Sequence, residues 1–319
     1  MNIILAYDTS CYTTSMAAVS ENKEIVFNSR RMLEVKHGDR GLRQSEAVFK
    51  HLQQINLVQK EIFDRIRDID YKVIAVAAST KPRKLDDSYM PVFLVGARFA
   101  EQLANAFSVP FIKSSHQLGH IYAAKYDTSL LESEFLGFHL SGGTTELLHI
   151  KCGDVSLIGQ TLDITAGQLV DRIGVAMGLP FPAGKHLEKL ALQSNGTNVP
   201  IFSSTVKEGN CNLSGLENQA LKSIDKYAFS DIAMGIYKAI ARCCAKMIVF
   251  ACKTNNINDI LVFGGVASSE LFRNLLIQDV FKRCNHINIH FGQKELSGDN
   301  AVGIALYALE EIKNGKQNY

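Results

Sequence analysis

The chain twice presents the same opening, a hydrophobic strand followed by a short polar turn and a returning strand. This repetition constrains the fold more than any other feature. The first copy covers residues 2–19 and turns at Asp8-Thr-Ser-Cys, and the second covers residues 135–150 and turns at Ser141-Gly-Gly-Thr-Thr145. A third strand is expected after each copy, near residues 24–30 and 155–161. The pattern predicts a duplicated α/β architecture of mixed sheets flanked by helices, with a cleft between its two halves.

Apolar residues at three- and four-residue spacing predict the helices, and short runs of buried type predict two more strands. The strands are expected at residues 73–77 and 260–263. The helices are expected at about residues 41–68, 92–107, 167–177, 183–193, 230–254, 270–278 and 299–313.

Composition narrows the class of protein. The 319 residues are 46% hydrophobic and 21% charged, which is typical of a soluble globular chain of two domains. No apolar run approaches the roughly 20 residues of a membrane span, and no signal-peptide pattern opens the chain. Seven scattered cysteines without a C-x-x-C pair indicate a reduced chain. We therefore expect a cytoplasmic protein with no membrane partner.

A net charge of +2 gives no global indication of nucleic-acid binding. An RNA partner would have to meet a local basic patch or another subunit. Each basic cluster alone is typical of a solvated face, but together they are the best local candidates for phosphate contacts. The clusters are Arg30-Arg31, Lys36 with Arg40 and Arg43, and Lys81-Pro-Arg-Lys84.

The segment His116-Gln-Leu-Gly-His120 carries the most specific chemistry. Two histidines four residues apart share one face of a helix, with Cβ atoms roughly 5–6 Å apart. That spacing suits two imidazoles holding one divalent metal ion. Ser114 or Ser115 is the expected N-cap. A zinc-protease interpretation is poor because no glutamate follows His116 to act as general base. The alternative is one surface histidine and one hydrogen-bonded core histidine.

Three turns rich in serine, threonine and glycine follow hydrophobic strands. Asp8-Thr-Ser10 and Ser141-Gly-Gly-Thr144 offer clustered backbone N–H groups and hydroxyls, and Gly264-Gly265 lies between a strand and a helix. Each alone is typical of an ordinary turn, but the three together predict a nucleotide cleft.

Three carboxylates, Asp8, Asp171 and Asp299, lie in or near these segments. The alternative role of Asp299 is the N-cap of the last helix. The alternative for Asp171 is an exposed ion pair with its neighbour Arg172.

Eight segments in consistent order resemble the TsaD family, the tRNA threonylcarbamoyltransferases of the actin/sugar-kinase/heat-shock ATPase superfamily. The resemblance implies the α/β two-domain fold of that superfamily with a central cleft. It places residues 1–112 and 300–319 in the first domain and residues 113–299 in the second. The matching segments are Asp8-Thr-Ser-Cys-Tyr-Thr-Thr14, His116-Gln-Leu-Gly-His120, Ser141-Gly-Gly-Thr-Thr-Glu-Leu147, Gly167-Gln-Leu-Val-Asp-Arg172, Pro182-Ala-Gly184, Ser214-Gly-Leu-Glu217, Phe263-Gly-Gly-Val-Ala-Ser-Ser269 and Leu296-Ser-Gly-Asp-Asn-Ala301.

The resemblance also implies a function and a site. His116, His120 and Asp299 would be the catalytic metal ligands of one Fe²⁺ or Zn²⁺ ion. The implied reaction moves threonylcarbamoyl from threonylcarbamoyl-adenylate to the N6 amine of the adenosine next to the tRNA anticodon. Partner subunits of a threonylcarbamoyl-transfer complex, and a homodimer or heterodimer, are implied with it. The residues implied to bind the adenine nucleotide or acyl-adenylate are Asp8, Ser10, Ser141, Gly142, Gly143, Thr144, Asp171, Gly184, Gly264, Gly265 and Ser269.

The chain departs from the family pattern around this triad, which indicates a diverged paralogue. Two alternatives therefore stay open: a carbamoyl- or acyltransferase of the same chemistry with a different acceptor, and a non-catalytic partner subunit. The departures are Tyr12-Thr13 for Asp-Glu, Thr144 for histidine, Gln168 for an acid, Ser269 for asparagine, and a longer, more basic stretch at residues 79–90 for a Gly-Pro-Gly loop.

Overall fold

The computed structural model describes residues 1–10, 12–34, 42–85, 88–130 and 132–315. The described strands are β1 (Asn2–Thr9), β2 (Thr13–Ser20), β3 (Ile25–Met32), β4 (Lys72–Lys81), β5 (Phe111–Ser115), β6 (Glu134–Leu140), β7 (Thr145–Lys151), β8 (Asp154–Gln160), β9 (Thr205–Lys207), β10 (Asn210–Asn212), β11 (Asp259–Phe263) and β12 (Asn288–Phe291). The described α-helices are α1 (Gln44–Ile66), α2 (Phe93–Phe107), α3 (His116–Lys125), α4 (Ala166–Ala176), α5 (Gly184–Ala191), α6 (Ser214–Leu221), α7 (Phe229–Asn255), α8 (Glu270–Phe281) and α9 (Val302–Lys313). Cys11 of the first turn and the basic residues Lys36 and Arg40 lie outside the described residues.

The chain divides into two compact units, Met1–Tyr126 with Gly298–Tyr319, and Asp127–Ser297. The prediction placed residues 113–126 and 298–299 in the second domain, whereas the contacts group them with the first unit. The physical reason is that α3, which follows β5 directly, packs against α9 of the first unit.

Each unit contains a five-stranded sheet with the same arrangement. The orders are β3-β2-β1-β4-β5 in the first unit and β8-β7-β6-β11-β12 in the second. β2 and β7 are antiparallel to both of their neighbours. The other three strands of each sheet run parallel to one another: β1, β4 and β5 in the first unit, and β6, β11 and β12 in the second. The predicted duplication is therefore confirmed.

The first unit buries its central strand on both faces. Ile3, Leu5 and Tyr7 of β1 pack in one core with apolar residues of α1 and α2. The alternating residues Ile4 and Ala6 are fully buried as well, and α9 packs against β1, β2 and β4. A strand buried on both faces needs the continuous apolar run that opens this chain.

The second unit is built around α7, which packs against α5 and α8 and shares a core with Leu136, Phe138 and Leu140 of β6. The hairpin of β9 and β10, helix α6 and strand β12 lie where no element was predicted. None of the helices that the structure describes qualifies by length and hydropathy as a membrane span.

The last helix begins three residues later than predicted. Its first residue is Val302, whose backbone N–H donates to Asn300 Oδ1 at 3.0 Å. The interpretation of Asp299 as a helix N-cap is therefore wrong, because Asp299 lies in the segment before the helix and its carboxylate is engaged elsewhere.

Candidate functional site

The histidine pair is positioned by the junction of β5 and α3. The Ser115 hydroxyl accepts a hydrogen bond from the Leu118 backbone N–H at 3.3 Å, so the predicted N-cap is confirmed at Ser115. This cap starts the helix at His116, and one helical turn later His120 projects from the same face. Their Nε2 atoms lie 3.1 Å apart.

Asp299 completes a triangle of donor atoms. Its Oδ1 lies 3.3 Å from His120 Nε2 and 3.6 Å from His116 Nε2. Around a tetrahedral zinc ion with bonds of about 2.0–2.1 Å, ligand atoms are roughly 3.3 Å apart. The three observed separations match that value. Two imidazoles and one carboxylate are also ligands that suit zinc or ferrous iron. The structure thus brings together a candidate site for one divalent ion.

Asp8 lies behind His116. Its side chain is 1% exposed, and its carboxylate oxygens lie 3.0 and 3.1 Å from His116 Nδ1. It also accepts a hydrogen bond from the Ser79 hydroxyl. Because a carboxylate can only accept, Nδ1 of His116 carries a proton, so the neutral imidazole that forms once Nε2 has lost its own proton presents the Nε2 lone pair to the triangle. This is the tautomer that a metal-binding histidine needs.

Asp299 is held by a hydrogen bond from the first polar turn. The Ser10 hydroxyl donates to Asp299 Oδ2 at 2.5 Å. The Ser10 carbonyl in turn accepts a hydrogen bond from His51 Nε2 at 2.7 Å, and His51 Nδ1 accepts from the Thr14 hydroxyl at 2.8 Å. His51 is fully buried on the core face of α1. Sequence reasoning missed this residue, although a histidine four positions before Ile55 on a helix is a detectable signal.

The electrostatics of the triangle follow from these contacts. Burial lowers the pKa of His116, but the charge and hydrogen bond of Asp8 and the charge of Asp299 outweigh it and raise the pKa to about 9. Burial raises the pKa of Asp299, but a hydrogen bond from His120 and the charges of both histidines hold this pKa well below its usual range. The Asp299 carboxylate therefore stays ionised where a cation would bind.

In the second unit, five of the residues predicted to bind nucleotide line one cavity of about 640 Å³. They are Gly142, Asp171, Gly184, Gly265 and Ser269. Phe181, His186 and Tyr237 line the same cavity and were not predicted. Asp8 and Ser10, predicted for the same nucleotide, lie in the first unit beside the triangle of donor atoms.

Asp171 is held by the backbone of the neighbouring helix. Its Oδ1 accepts a hydrogen bond from the Ala183 N–H at 2.8 Å. Arg172 instead pairs with Glu217 at 3.2 Å. The interpretation of Asp171 as half of an exposed pair with Arg172 is therefore wrong.

The remaining predicted residues form the turns rather than the cavity lining. The Ser141 hydroxyl accepts from the Thr144 N–H at 3.0 Å, which closes the turn that contains Gly143. Gly264 has φ +102°, and a Cβ there would lie 2.4 Å from the Leu140 carbonyl oxygen. Only glycine fits this position, where the end of β11 meets the end of β6.

The sequence of the chain matches one protein family. Residues 27–306 match the sequence model of TsaD, described as tRNA N6-adenosine threonylcarbamoyltransferase. A relative of that name from Clostridium novyi (strain NT) is 28% identical over 327 residues, spanning 98% of this chain and 93% of the relative.

Two solved structures are similar in fold. HypF of T. kodakarensis superposes with a TM-score of 0.67 at 16% identity, covering 98% of this chain and 48% of HypF. The ROK hexokinase from Thermus thermophilus has a TM-score of 0.57 at 12% identity, covering 98% of this chain and 100% of the hexokinase. The predicted sugar-kinase-like α/β fold class is confirmed.

Proposed function

Because the chain belongs to the TsaD family of tRNA N6-adenosine threonylcarbamoyltransferases, we propose that it transfers threonylcarbamoyl from threonylcarbamoyl-adenylate to the N6 amine of the adenosine beside the tRNA anticodon. The observation that carries this proposal is the triangle of His116, His120 and Asp299, with donor atoms 3.1–3.6 Å apart. A non-catalytic partner subunit would have no use for so complete a ligand set.

The reaction forms a bond between the adenosine N6 and the carbamoyl carbon. The bond from that carbon to the phosphate oxygen of the adenylate breaks, so AMP leaves and the amine loses a proton. A bound Fe²⁺ or Zn²⁺ ion would supply Lewis-acid polarisation of the carbonyl. His116, His120 and Asp299 would hold the ion, while Asp8 keeps the proton of His116 on Nδ1.

The cavity of the second unit would bind the adenosine part of the adenylate. Its volume of about 640 Å³ lies within the range of small-molecule sites. The Asp171 carboxylate would accept hydrogen bonds from ribose hydroxyls. Gly184 and Gly265 would let the backbone approach the nucleoside closely, because neither carries a side chain.

One observation favours a second candidate, the same transfer to a different acceptor. The family pattern has Asp-Glu where this chain has Tyr12 and Thr13. Tyr12 is 42% exposed, whereas Thr13 is buried, so two acidic groups are replaced at this turn by one accessible phenol and one enclosed hydroxyl. Fewer carboxylates mean fewer proton acceptors for an attacking amine.

The test uses metal-loaded protein together with the subunits that co-purify with it. It is incubated with threonylcarbamoyl-adenylate and a tRNA transcript, and the tRNA is digested for nucleoside mass spectrometry. We expect threonylcarbamoyladenosine with the wild type and none with His120→Ala. A transcript carrying guanosine at the target position is the matched acceptor control. Metal-dependent AMP release without modified adenosine would support the different acceptor, and no AMP release would contradict both candidates.

A further inference from the structure

The first unit contains a cavity of about 540 Å³, and its lining residues do not include His116, His120 or Asp299. Its lining comes from α2, β5, the first turn of α3, α9, and the end of β4 with the segment that follows it. Four cationic side chains and one carboxylate line it, an excess of three positive charges, whereas the whole chain carries a net charge of only +2. Positive charge is therefore concentrated at this cavity. The cations are Lys81, Lys84, Arg98 and Lys113, and the carboxylate is Glu101.

Two of these cations, Lys113 and Arg98, have side chains that a ligand can reach. Among the described residues, no hydrogen bond or ion pair engages the exposed side chain of Lys113. Arg98 pairs with Glu101 at 2.7 Å but keeps 74% of its side chain exposed, so most of its N–H groups still face water. Lys81, the last residue of β4, donates to the Leu85 carbonyl at 3.1 Å, and this contact spans the segment that carries Lys84.

The floor of the cavity is apolar and partly aromatic. Phe111, Leu118 and Tyr307 line it, together with Leu94, which is 40% exposed. A free inorganic anion would gain nothing from such a floor. A cationic rim over an aromatic floor is instead the arrangement by which proteins bind single-stranded nucleotides, whose phosphates meet the cations and whose bases meet the rings.

Lys81 and Lys84 belong to the stretch in which this chain departs from the Gly-Pro-Gly loop of the family pattern, so the rim is in part particular to this chain. Asp86 and Asp87 follow them in the sequence and lie outside the described residues.

We propose that this cavity, which we call the basic cavity, binds one unstacked nucleotide of the tRNA substrate together with its flanking phosphates. The inference rests on the proposed function for the identity of the RNA. The anticodon loop, which holds the proposed target adenosine, supplies nucleotides that can leave the stack.

The test compares two double variants with the same change in charge. Lys84→Gln/Lys113→Gln removes two cations from the basic cavity, and Lys222→Gln/Lys226→Gln removes two exposed lysines of the second unit. Binding of fluorescent tRNA to the full-length, metal-loaded protein is measured by anisotropy at several salt concentrations, without any threonylcarbamoyl donor. Melting temperatures verify that both variants are folded.

We expect the cavity variant to weaken tRNA binding by roughly tenfold or more. The slope of log Kd against log salt should fall by about 1.4, since each phosphate contact on a single strand contributes about 0.7. The control variant should stay within about twofold of the wild type in affinity.

Three results would overturn the inference: unchanged tRNA affinity in the cavity variant, equal weakening in both variants, or loss of AMP or phosphate binding while tRNA binding stays intact. The last result would assign the cavity to a small anion. Because no donor is present, a lysine-dependent tRNA affinity stands even if adenosine modification fails. Conversely, modification with unaltered tRNA affinity in the cavity variant overturns this inference alone.

Discussion

Replacing Gly303 with alanine would separate the two helices that bring the candidate metal ligands together. Gly303 lies in the first turn of α9, and a Cβ there would lie 1.8 Å from the Gly119 carbonyl oxygen and 2.7 Å from the Ala123 nitrogen, both backbone atoms of α3. A carbon normally stays about 3.3 Å from such an oxygen, so the helices must move apart by roughly 1.5 Å. Metal–ligand distances normally fall within about 0.2 Å of their standard values, which is much less than this displacement.

The magnitude follows from that displacement. Overpacking typically costs about 1–3 kcal/mol, and a clash with backbone belongs at the upper end. At about 3 kcal/mol the melting temperature falls by roughly 6–12 °C for units of this size. Because α3 carries His116 and His120 while Asp299 directly precedes α9, we expect the bound metal to fall well below one ion per chain.

The assay is thermal unfolding with and without chelator, combined with elemental analysis of the purified protein. Gly119→Ala is the matched control, since the nearest atom to its Cβ is Ile304 Cδ1 at 2.8 Å, the end of a flexible side chain. Alanine in place of a helical glycine also contributes roughly 0.5–1 kcal/mol, so this variant should remain close to the wild type. Wild-type metal content and melting temperature in Gly303→Ala would show that the close approach of α3 and α9 does not hold the metal ligands in place.

Three further predictions concern residues that support the two units. Asp8→Asn should weaken metal binding about 10–100-fold in a chelator competition, because the hydrogen bond that orients His116 is weakened; equal affinity would contradict that role. His51→Phe should destabilise the protein by about 1–3 kcal/mol in denaturant titrations, because the buried Ser10 carbonyl loses its donor; unchanged stability would show that this hydrogen bond is dispensable. Burial raises the pKa of Asp163, but hydrogen bonds from the Ser214 hydroxyl and three backbone N–H groups outweigh it and hold the pKa at about 2. Its stabilisation is therefore present above the unfolded pKa of about 3.9 and lost as the pH falls towards 2. Asp163→Asn should cost roughly 1 kcal/mol at pH 7 after solvent screening, with a gap in melting temperature that narrows below pH 5; a constant gap would exclude the charge as its cause.

The sequence predicted best what depends on local pattern. The long apolar runs and their three- and four-residue spacing located most helices and strands, and the repeated opening predicted a duplicated architecture of mixed sheets. The same spacing gave a wrong prediction of which residues α1 buries. Leu52 lies on the apolar three- and four-residue spacing of this helix but is 50% exposed, while its neighbour His51 is fully buried. A hydrogen-bonding partner in the first turn, 41 residues away, reverses the order expected from hydrophobicity.

The site could be predicted only in part, for a related reason. The histidine pair is a local feature, and its spacing suits a pair of metal ligands without excluding one surface and one core histidine. Asp8 was assigned to a nucleotide turn because only its local context was visible, whereas its contact with His116 joins residues 108 positions apart. Asp299 resembles a helix cap from its neighbours alone, yet its carboxylate is engaged by Ser10, 289 positions away. Such contacts depend on how the elements pack, which local residue patterns do not encode.

The most direct test of the proposed transfer is nucleoside mass spectrometry of total tRNA from host cells that lack this chain. The deletion strain is complemented with the wild type or with Asp299→Ala at equal expression. We expect threonylcarbamoyladenosine to disappear in the deletion strain, to return with the wild type and to stay absent with the variant. Unchanged threonylcarbamoyladenosine in the deletion strain would contradict the proposed acceptor, and full recovery with Asp299→Ala would contradict the role of the metal triangle.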